Sequence, residues 1–357
     1  MRKILLQLMM GFGLLTASAA NGVEVAQLDQ AVVNVDSRTD AQRDAAIREA
    51  LTSVLLKNSG ARSVLNNAMI AECLSQASAM VSQFGYFSEQ GQLKLRAQFD
   101  HDKIVRLLRA AGEPVWGRQR PLTVFWLAAD IDNQPQIVAD SVTSDIRQLF
   151  SHISEQRGMP LLFPLMDLDD LQTVNVNDVR GQFASPVAQA SARYQADYFA
   201  LASMQSSADG IYYQIALYNS STVPEQAFMR PLLSEQNTVA SQHDAVAAMM
   251  LALSEYFVSR YAVADSGASQ QTVVNFAGVN QQQLVEIEGF LKQLTAVKSF
   301  AIRQLQGNRV SYQLQLFGSV AELKNLLGLE SRISLLPPAA TGALTDNNAD
   351  TYEWHSR

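Results

Sequence analysis

Hydrophobic positions along the chain switch between a two-residue and a helical period, and the switches mark out a series of short elements. Val23, Val25, Val32, Val33 and Val35 read as an extended opening segment. The spacing then changes to Ala46, Ile47, Ala50, Leu51, Val54 and Leu55, the buried stripe of a helix capped by Asp40 and ended by Asn58 and Gly60. A second helix is expected from Val64 to Val81. After a turn at Glu89 to Gly91, Leu93, Leu95, Ala97 and Phe99 alternate with Lys94, Arg96 and Gln98, which predicts a hairpin with one dry and one wet side. A short helix behind Asp100 carries Ile104, Val105, Leu107 and Leu108, and Gly112 and Pro114 close a first domain over residues 21–114.

A second domain, residues 120–263, alternates strands and helices. Leu122 to Ala128 is a nearly continuous apolar strand, and Val142, Ile146, Leu149, Phe150 and Ile153 follow at helical spacing up to Gly158. Leu161 to Met166 is the next strand, and a polar loop from Asp167 to Gln182 leads to a helix with Val187 and Ala190. Tyr198 to Met204 and Ile211 to Tyr218 are two more strands, and a closing helix bears Val246, Met249, Met250, Leu253, Phe257 and Tyr261. Methionines and aromatics at that spacing are core residues before they are a cofactor box.

After a small polar linker, residues 271–336 form a third domain of strand, helix, hairpin and helix, with Gly307 and Asn308 at the hairpin turn. Residues 337–357, rich in Ala, Thr, Asn and Asp, are expected to be a mobile tail despite Tyr352 and Trp354. The hairpin and helix from Gly91 to Leu108 echo those from Gly307 to Leu327 in order and spacing. The expected class is α+β or α/β: a multi-domain chain of small mixed sheets with helices packed on one or both faces.

Export changes this picture most. Arg2 and Lys3, the apolar run from Ile4 to Leu15, and small Ala17, Ser18, Ala19 and Ala20 follow the pattern of a signal peptide over residues 1–20, cleaved after Ala19 or Ala20. No later run is long and apolar enough to predict a transmembrane helix, so the mature chain is expected in the periplasm. Hydrophobic residues make up 48% and charged residues 17%, the latter below the usual quarter or so, with glutamine and serine taking their place. The formal charge of -7, or -9 without Arg2 and Lys3, disfavours nucleic acid and anionic lipid as partners. Cys73 is the single cysteine, which excludes an internal disulfide; its helical neighbours read as a small core side chain, with pairing to another chain as the alternative.

Candidate chemistry is sparse. His101, His152, His243 and His355 are dispersed, and no zinc motif, nucleophile elbow, phosphate loop or dinucleotide fingerprint occurs. No cofactor is expected, and an enzyme would be a hydrolase with an unrecognised site. The most distinctive run is Arg157 to Asp170. Asp167, Asp169 and Asp170 follow one predicted strand, and Asp130 and Asp132 another, so in a parallel sheet the carboxylates share the edge where α/β proteins bind ligands. Arg157 or Arg193 can pair with them. The group can hold a cation or small ligand or receive a basic partner; equally, aspartates at strand exits cap loose backbone N–H groups. Arg193, Tyr194, Asp197 and Tyr198 form a second notable segment, readable as a helix end with packed rings.

The runs Arg157 to Asp170, Ala192 to Tyr198 and Arg48 to Gly60 resemble a proteobacterial exported-protein family described as domain of unknown function 2066. The resemblance implies export and carries no site residues. In element order the first domain is similar to polypeptide-transport-associated domains, and the second to the N-terminal domain of the Tol-system propeller protein. Both likenesses imply protein contact by strand addition. The function expected is therefore a non-enzymatic periplasmic interaction or assembly module whose partner is another envelope protein. Small-ligand or cation binding at Asp130, Asp167, Asp169, Asp170, Arg157 and Arg193 is the alternative.

Overall fold

A computed structural model describes residues 22–89, 91–131, 134–220, 230–265, 267, 270–337 and 350–356. The expected signal peptide and Asp132 lie outside the described residues. Among those residues no helix is long and apolar enough to cross a membrane.

The described residues open with β1 (Val23–Glu24), β2 (Gln30–Asn34) and α1 (Asp40–Ser59), then α2 (Ala68–Ser75), β3 (Val81–Glu89), β4 (Gln92–Phe99) and α3 (His101–Ala110). β2, β4 and β3 form an antiparallel sheet in that order. Its dry face carries Val33, Leu95, Ala97 and Phe99 and packs against Ile47, Leu51, Val54 and Leu55 of α1 and Ile104 and Leu108 of α3. The helix expected over 64–81 is broken. Residues 62–66 and 77–79 are 3-10 turns around α2, because the Asn67 side chain accepts the Met69 N–H at 3.0 Å and starts a new helix there. Gly60 ends α1 at φ 71°, and a Cβ there would lie 2.1 Å from Val258 Cγ2, so this position both turns the chain and admits a neighbouring helix.

β5 (Gln119–Arg120) pairs with β1, and β6 (Thr123–Ile131), β7 (Gln134–Ile137), α4 (Asp145–Arg157) and β8 (Leu161–Leu162) follow. Next come α5 (Leu168–Thr173), α6 (Val176–Arg180), α7 (Ala184–Ser191), β9 (Tyr198–Ser207), β10 (Gly210–Asn219), β11 (Leu233–Val239) and α8 (Gln242–Tyr261). The sheet order is β11-β10-β9-β6-β7, with β8 also on β6; β6 is parallel to β8 and β9, and the other pairs are antiparallel. Helices cover both faces, so β6 is buried without interruption from Thr123 to Ala129. Phe125 and Leu127 face Phe150 of α4 and Met249, Leu253 and Phe257 of α8; Val124 and Trp126 face Val179 of α6 and Val187 of α7.

Three expectations fail here. The strand expected over 161–166 stops after Leu162, since Pro160 and Pro164 flank it and neither donates to a ladder. The expected polar loop from Asp167 to Gln182 is α5 and α6, each begun by a side-chain cap, Asp167 and Asn175. β11 has no counterpart in the sequence reading because its mostly exposed polar residues alternate only weakly.

The last part contains β12 (Gln270–Ala277), α9 (Gln281–Gln293), β13 (Val297–Gln306), β14 (Arg309–Leu316), α10 (Val320–Leu327), β15 (Ile333–Leu335) and β16 (Thr351–Trp354). The sheet order is β13-β14-β12-β16-β15. β12, α9, β13, β14 and α10 repeat the plan of β2, α1, β3, β4 and α3: in both sheets the second strand of the hairpin lies between the first hairpin strand and the opening strand and is antiparallel to both. The tail expected to be mobile re-enters this sheet. β16 runs parallel to β12, Trp354 is 2% exposed, and its Nε1 donates to Glu286 at 2.8 Å. Tyr352 and Trp354 turn inward at two-residue spacing while Glu353 is exposed, which offsets the polar composition. The intervening residues 338–349 lie outside the described ones.

The second and third sheets share one core, from Trp116 and Phe125 to Phe276, Phe290, Tyr312 and Trp354. The first sheet is fastened to both by Arg109 of α3. Its guanidinium donates to Val263 O at 2.8 Å and Thr295 O at 2.5 Å and lies 4.0 Å from the Phe317 ring centre.

Candidate functional site

Tertiary packing separates the six candidate residues into three places. Asp167 caps α5 by accepting the Asp170 N–H at 3.2 Å, and Arg193, beyond α7, grips it from the side with two donors at 2.6 and 2.7 Å. That fork-on-carboxylate geometry, together with the backbone donors, pulls the Asp167 carboxyl down to about 2 and raises the Arg193 guanidinium. Asp169 stands 3.7 Å from Arg193 and faces solvent. Asp170 is fully buried and accepts the Met166 N–H at 2.9 Å and the Tyr194 hydroxyl at 2.5 Å. Tyr194 in turn accepts the Leu165 N–H at 2.8 Å, and burial followed by the bond to Asp170 raises its phenol.

These bonds hold Met166 at φ 53°, a left-handed conformation that a methionine enters only when its surroundings over-determine it. The carboxylates therefore shape a turn: Asp170 replaces a missing strand ladder after Pro164, and Asp167 starts the next helix. Asp130 is elsewhere, paired with Arg180 of α6 at 2.6 Å. Among the described residues, Arg157 pairs with none of the aspartates. It ends α4 near Arg62 and Glu255, and burial lowers its guanidinium.

The cluster can present charge and fix a loop. Asp167 is anionic and clamped, and Asp170 has its acceptor sites directed at internal donors. Among the described residues, no three His, Cys, Asp or Glu side chains converge so as to hold a metal ion. A small cavity of about 40 Å³ lies between β5, α9 and α10, lined by Glu24, Arg118, Gln119, Thr295 and Arg332. Its volume admits water rather than an organic ligand, and the buried Gln119 Oε1 and Thr295 Oγ1 have no protein partner.

Asp197, noted in the sequence within the Arg193 to Tyr198 run, is a buried carboxyl without a cationic partner in its hydrogen bonding among the described residues. It is 6% exposed, accepts the Leu122 N–H at 2.7 Å, and is pushed up to about 6 by burial. Its folded-state value exceeds the unfolded one, so the native state binds the extra proton; the stability it contributes is present below about pH 4 and is lost as pH rises through about 6. Asp197→Asn keeps an acceptor for Leu122 and removes the titration. Chemical denaturation at pH 4 and pH 7 should show a wild-type loss of roughly 2 kcal/mol relative to the variant. A wild type and variant with parallel pH profiles would mean that Asp197 is hydrated in the native state.

Sequence comparison divides the chain differently from the three runs that suggested a family. Residues 266–356, the C-terminal sheet with its helices, match the family model DUF2066. The match lies outside residues 48–60, 157–170 and 192–198. Residues 22–117 match a second family model, described as domain of unknown function DUF8605. No curated protein matches the sequence.

Among solved structures, TolB from Acinetobacter baumannii aligns over 46% of this chain and 34% of its own at 12% identity, with a TM-score of 0.26. The chain thus spans about a third of TolB's length. The LpoB C-terminal domain from Salmonella enterica aligns over 34% of this chain and 82% of its own at 10% identity, with a TM-score of 0.20. Formyltetrahydrofolate deformylase from Burkholderia mallei aligns over 54% and 91% at 11% identity, with a TM-score of 0.17. Likenesses this weak carry no functional argument.

Proposed function

We propose that this chain is a periplasmic, non-enzymatic interaction module of the cell envelope that receives an extended segment of a partner protein at β3. The supporting observation is the contrast between two long edge strands. β13 has features that discourage pairing: two register shifts, at Val297/Ser299 and Ile302/Gln304, and the basic residues Lys298 and Arg303. β3 is also at a sheet edge, yet its register with β4 is continuous from Gln83 to Glu89. It carries no charge before Glu89, which Lys94 engages at 2.5 Å. Phe84, 43% exposed, stands beside Tyr86 along that edge and offers an apolar flank to an incoming strand. With one register shift, at Val81/Gln83, and one charge, at Glu89, this edge is an aggregation hazard unless something pairs with it.

The leader-like Arg2 to Ala20 segment supports the compartment. The aspartates support the ligand alternative less well, since Asp167 and Asp170 are engaged by donors of the same chain. Photo-crosslinking in intact cells tests the reading, with the probe placed in turn at Gln83, Ser88 and, as a control, Gln304. A discrete protein adduct from the β3 positions, absent from Gln304 and suppressed by Phe84→Lys, is expected. Equal adducts at β3 and β13, or none at β3, would refute strand addition there.

A further inference from the structure

Leu165, Leu168 and Leu171 are 54%, 68% and 60% exposed within one short segment of the central domain. Leu168 and Leu171 share a side of α5 at i, i+3 spacing, and Leu165 lies just before its cap. Single exposed aliphatic residues are ordinary, but three within one short segment, two of them on the same side of α5, mark an interaction surface. The support beneath them is rigid. Arg193 clamps Asp167, buried Asp170 takes the Met166 N–H and the Tyr194 hydroxyl, and the Thr173 hydroxyl donates to Asp169 O at 2.9 Å. Side chains displayed on such a base lose little freedom when a partner covers them.

We propose that Leu165, Leu168 and Leu171 form a docking surface for an amphipathic helix of another protein, one whose apolar stripe is flanked by lysines or arginines. The secondary structure selects a helix: α5 has no strand edge and presents leucine side chains on its exposed side, so an extended strand finds no ladder to join. Charge selects the flanks. Asp169 is 78% exposed at the side-chain level and Asp167 42%, while among the described residues Arg193 is the one cation joined to them, which leaves the rim net negative. An acidic rim attracts basic groups and repels an anionic membrane surface. This surface is separate from the β3 edge, so the two proposals stand or fall on different variants.

The test is fluorescence anisotropy of a labelled amphipathic helical peptide of leucine and lysine against the full mature chain. Controls are a leucine and glutamate peptide of the same pattern and vesicles of neutral phosphatidylcholine. Leu168→Ser with Leu171→Ser retains every charge, and thermal unfolding followed by circular dichroism checks that it folds as the wild type does. The double variant should bind the lysine peptide about tenfold or more weakly. Asp169→Asn should weaken binding less and reduce its salt dependence. Unchanged binding by the double serine variant would overturn the proposal, as would equal binding of the glutamate peptide. So would leucine-dependent uptake by vesicles, or leucine-dependent self-association in place of peptide binding.

Discussion

Replacing Arg120 with alanine should destabilise the protein by about 3–5 kcal/mol, because one fully buried guanidinium joins the ends of two helices from different parts of the chain. Its five N–H groups meet five carbonyls: Nε donates to Gly117 O at 2.9 Å, Nη1 to Arg157 O and Gly158 O at 3.0 Å, and Nη2 to Lys57 O at 2.6 Å and Trp116 O at 3.2 Å. Lys57 lies in the last turn of α1, and Arg157 and Gly158 end α4, so the cation sits where two helix dipoles point their negative ends. Trp116 adds a ring face 3.9 Å away.

Burial pulls Arg120 down to about 9, but that still leaves it charged at neutral pH, and five acceptors favour the proton. Arg120→Lys preserves charge but supplies three donors, and should recover roughly half of the lost stability. Urea denaturation is the measurement. A loss below about 1 kcal/mol for the alanine variant would mean that the stranded carbonyls find water, and that the junction between the first and second sheets is looser than its hydrogen bonds imply.

The second large effect concerns the C-terminal strand. Trp354→Ala should cost about 3–5 kcal/mol, the usual loss for a buried large aromatic. Its ring packs against Phe276 and Phe290, Arg332 lies over it at 4.5 Å, and its indole N–H is bonded to Glu286. Deleting residues 337–357 should be at least as damaging, since Tyr352 is lost too and β12 and β15 each lose a neighbour. Glu353→Ala, on the exposed side of the same strand, should stay within about 0.5 kcal/mol of wild type. If the truncated chain melts with the wild-type midpoint, β16 contributes nothing to the fold. These predictions place the stability of the molecule in two joints, one between sheets and one at the end of the chain.

Local physics made much of the secondary structure readable in advance. The stripe Ile47, Leu51, Val54 and Leu55, the alternation Leu93 to Phe99, the buried run of β6 and the aromatic face of α8 each arise from a period imposed by backbone geometry. Caps are readable at Asp100 and Gly60, but Asp40, expected as a cap, is the first residue of α1, and Thr39 holds the cap position without a side-chain bond. The stretch from Leu161 to Gln182 departs from its expected strand and loop because its determinants are not neighbours: Asp170 reaches Met166 and Tyr194, and Arg193 returns from beyond α7 to hold Asp167. Once those contacts form, a leucine such as Leu165, which continues an apolar run in the sequence, points into solvent.

The candidate site divides in the same way. Aspartates at the exits of two strands are visible in the chain, but their counter-ions are not, and Arg180 and Arg193 draw Asp130 and Asp167 into different places. Arg120 offered no sequence signal, because a lone arginine after a turn is ordinary until two helix ends converge on it. Composition likewise marked the last residues as tail, while the inward pair Tyr352 and Trp354 needed the free side of β12 to become a strand. The sequence by itself determined the strongly periodic elements, their buried faces and the α+β character, because backbone period and burial act between residues a few positions apart. Only the tertiary structure decided which charges pair, which edge stays open and which leucines stay wet, because those depend on groups far apart in the chain competing for the same partners.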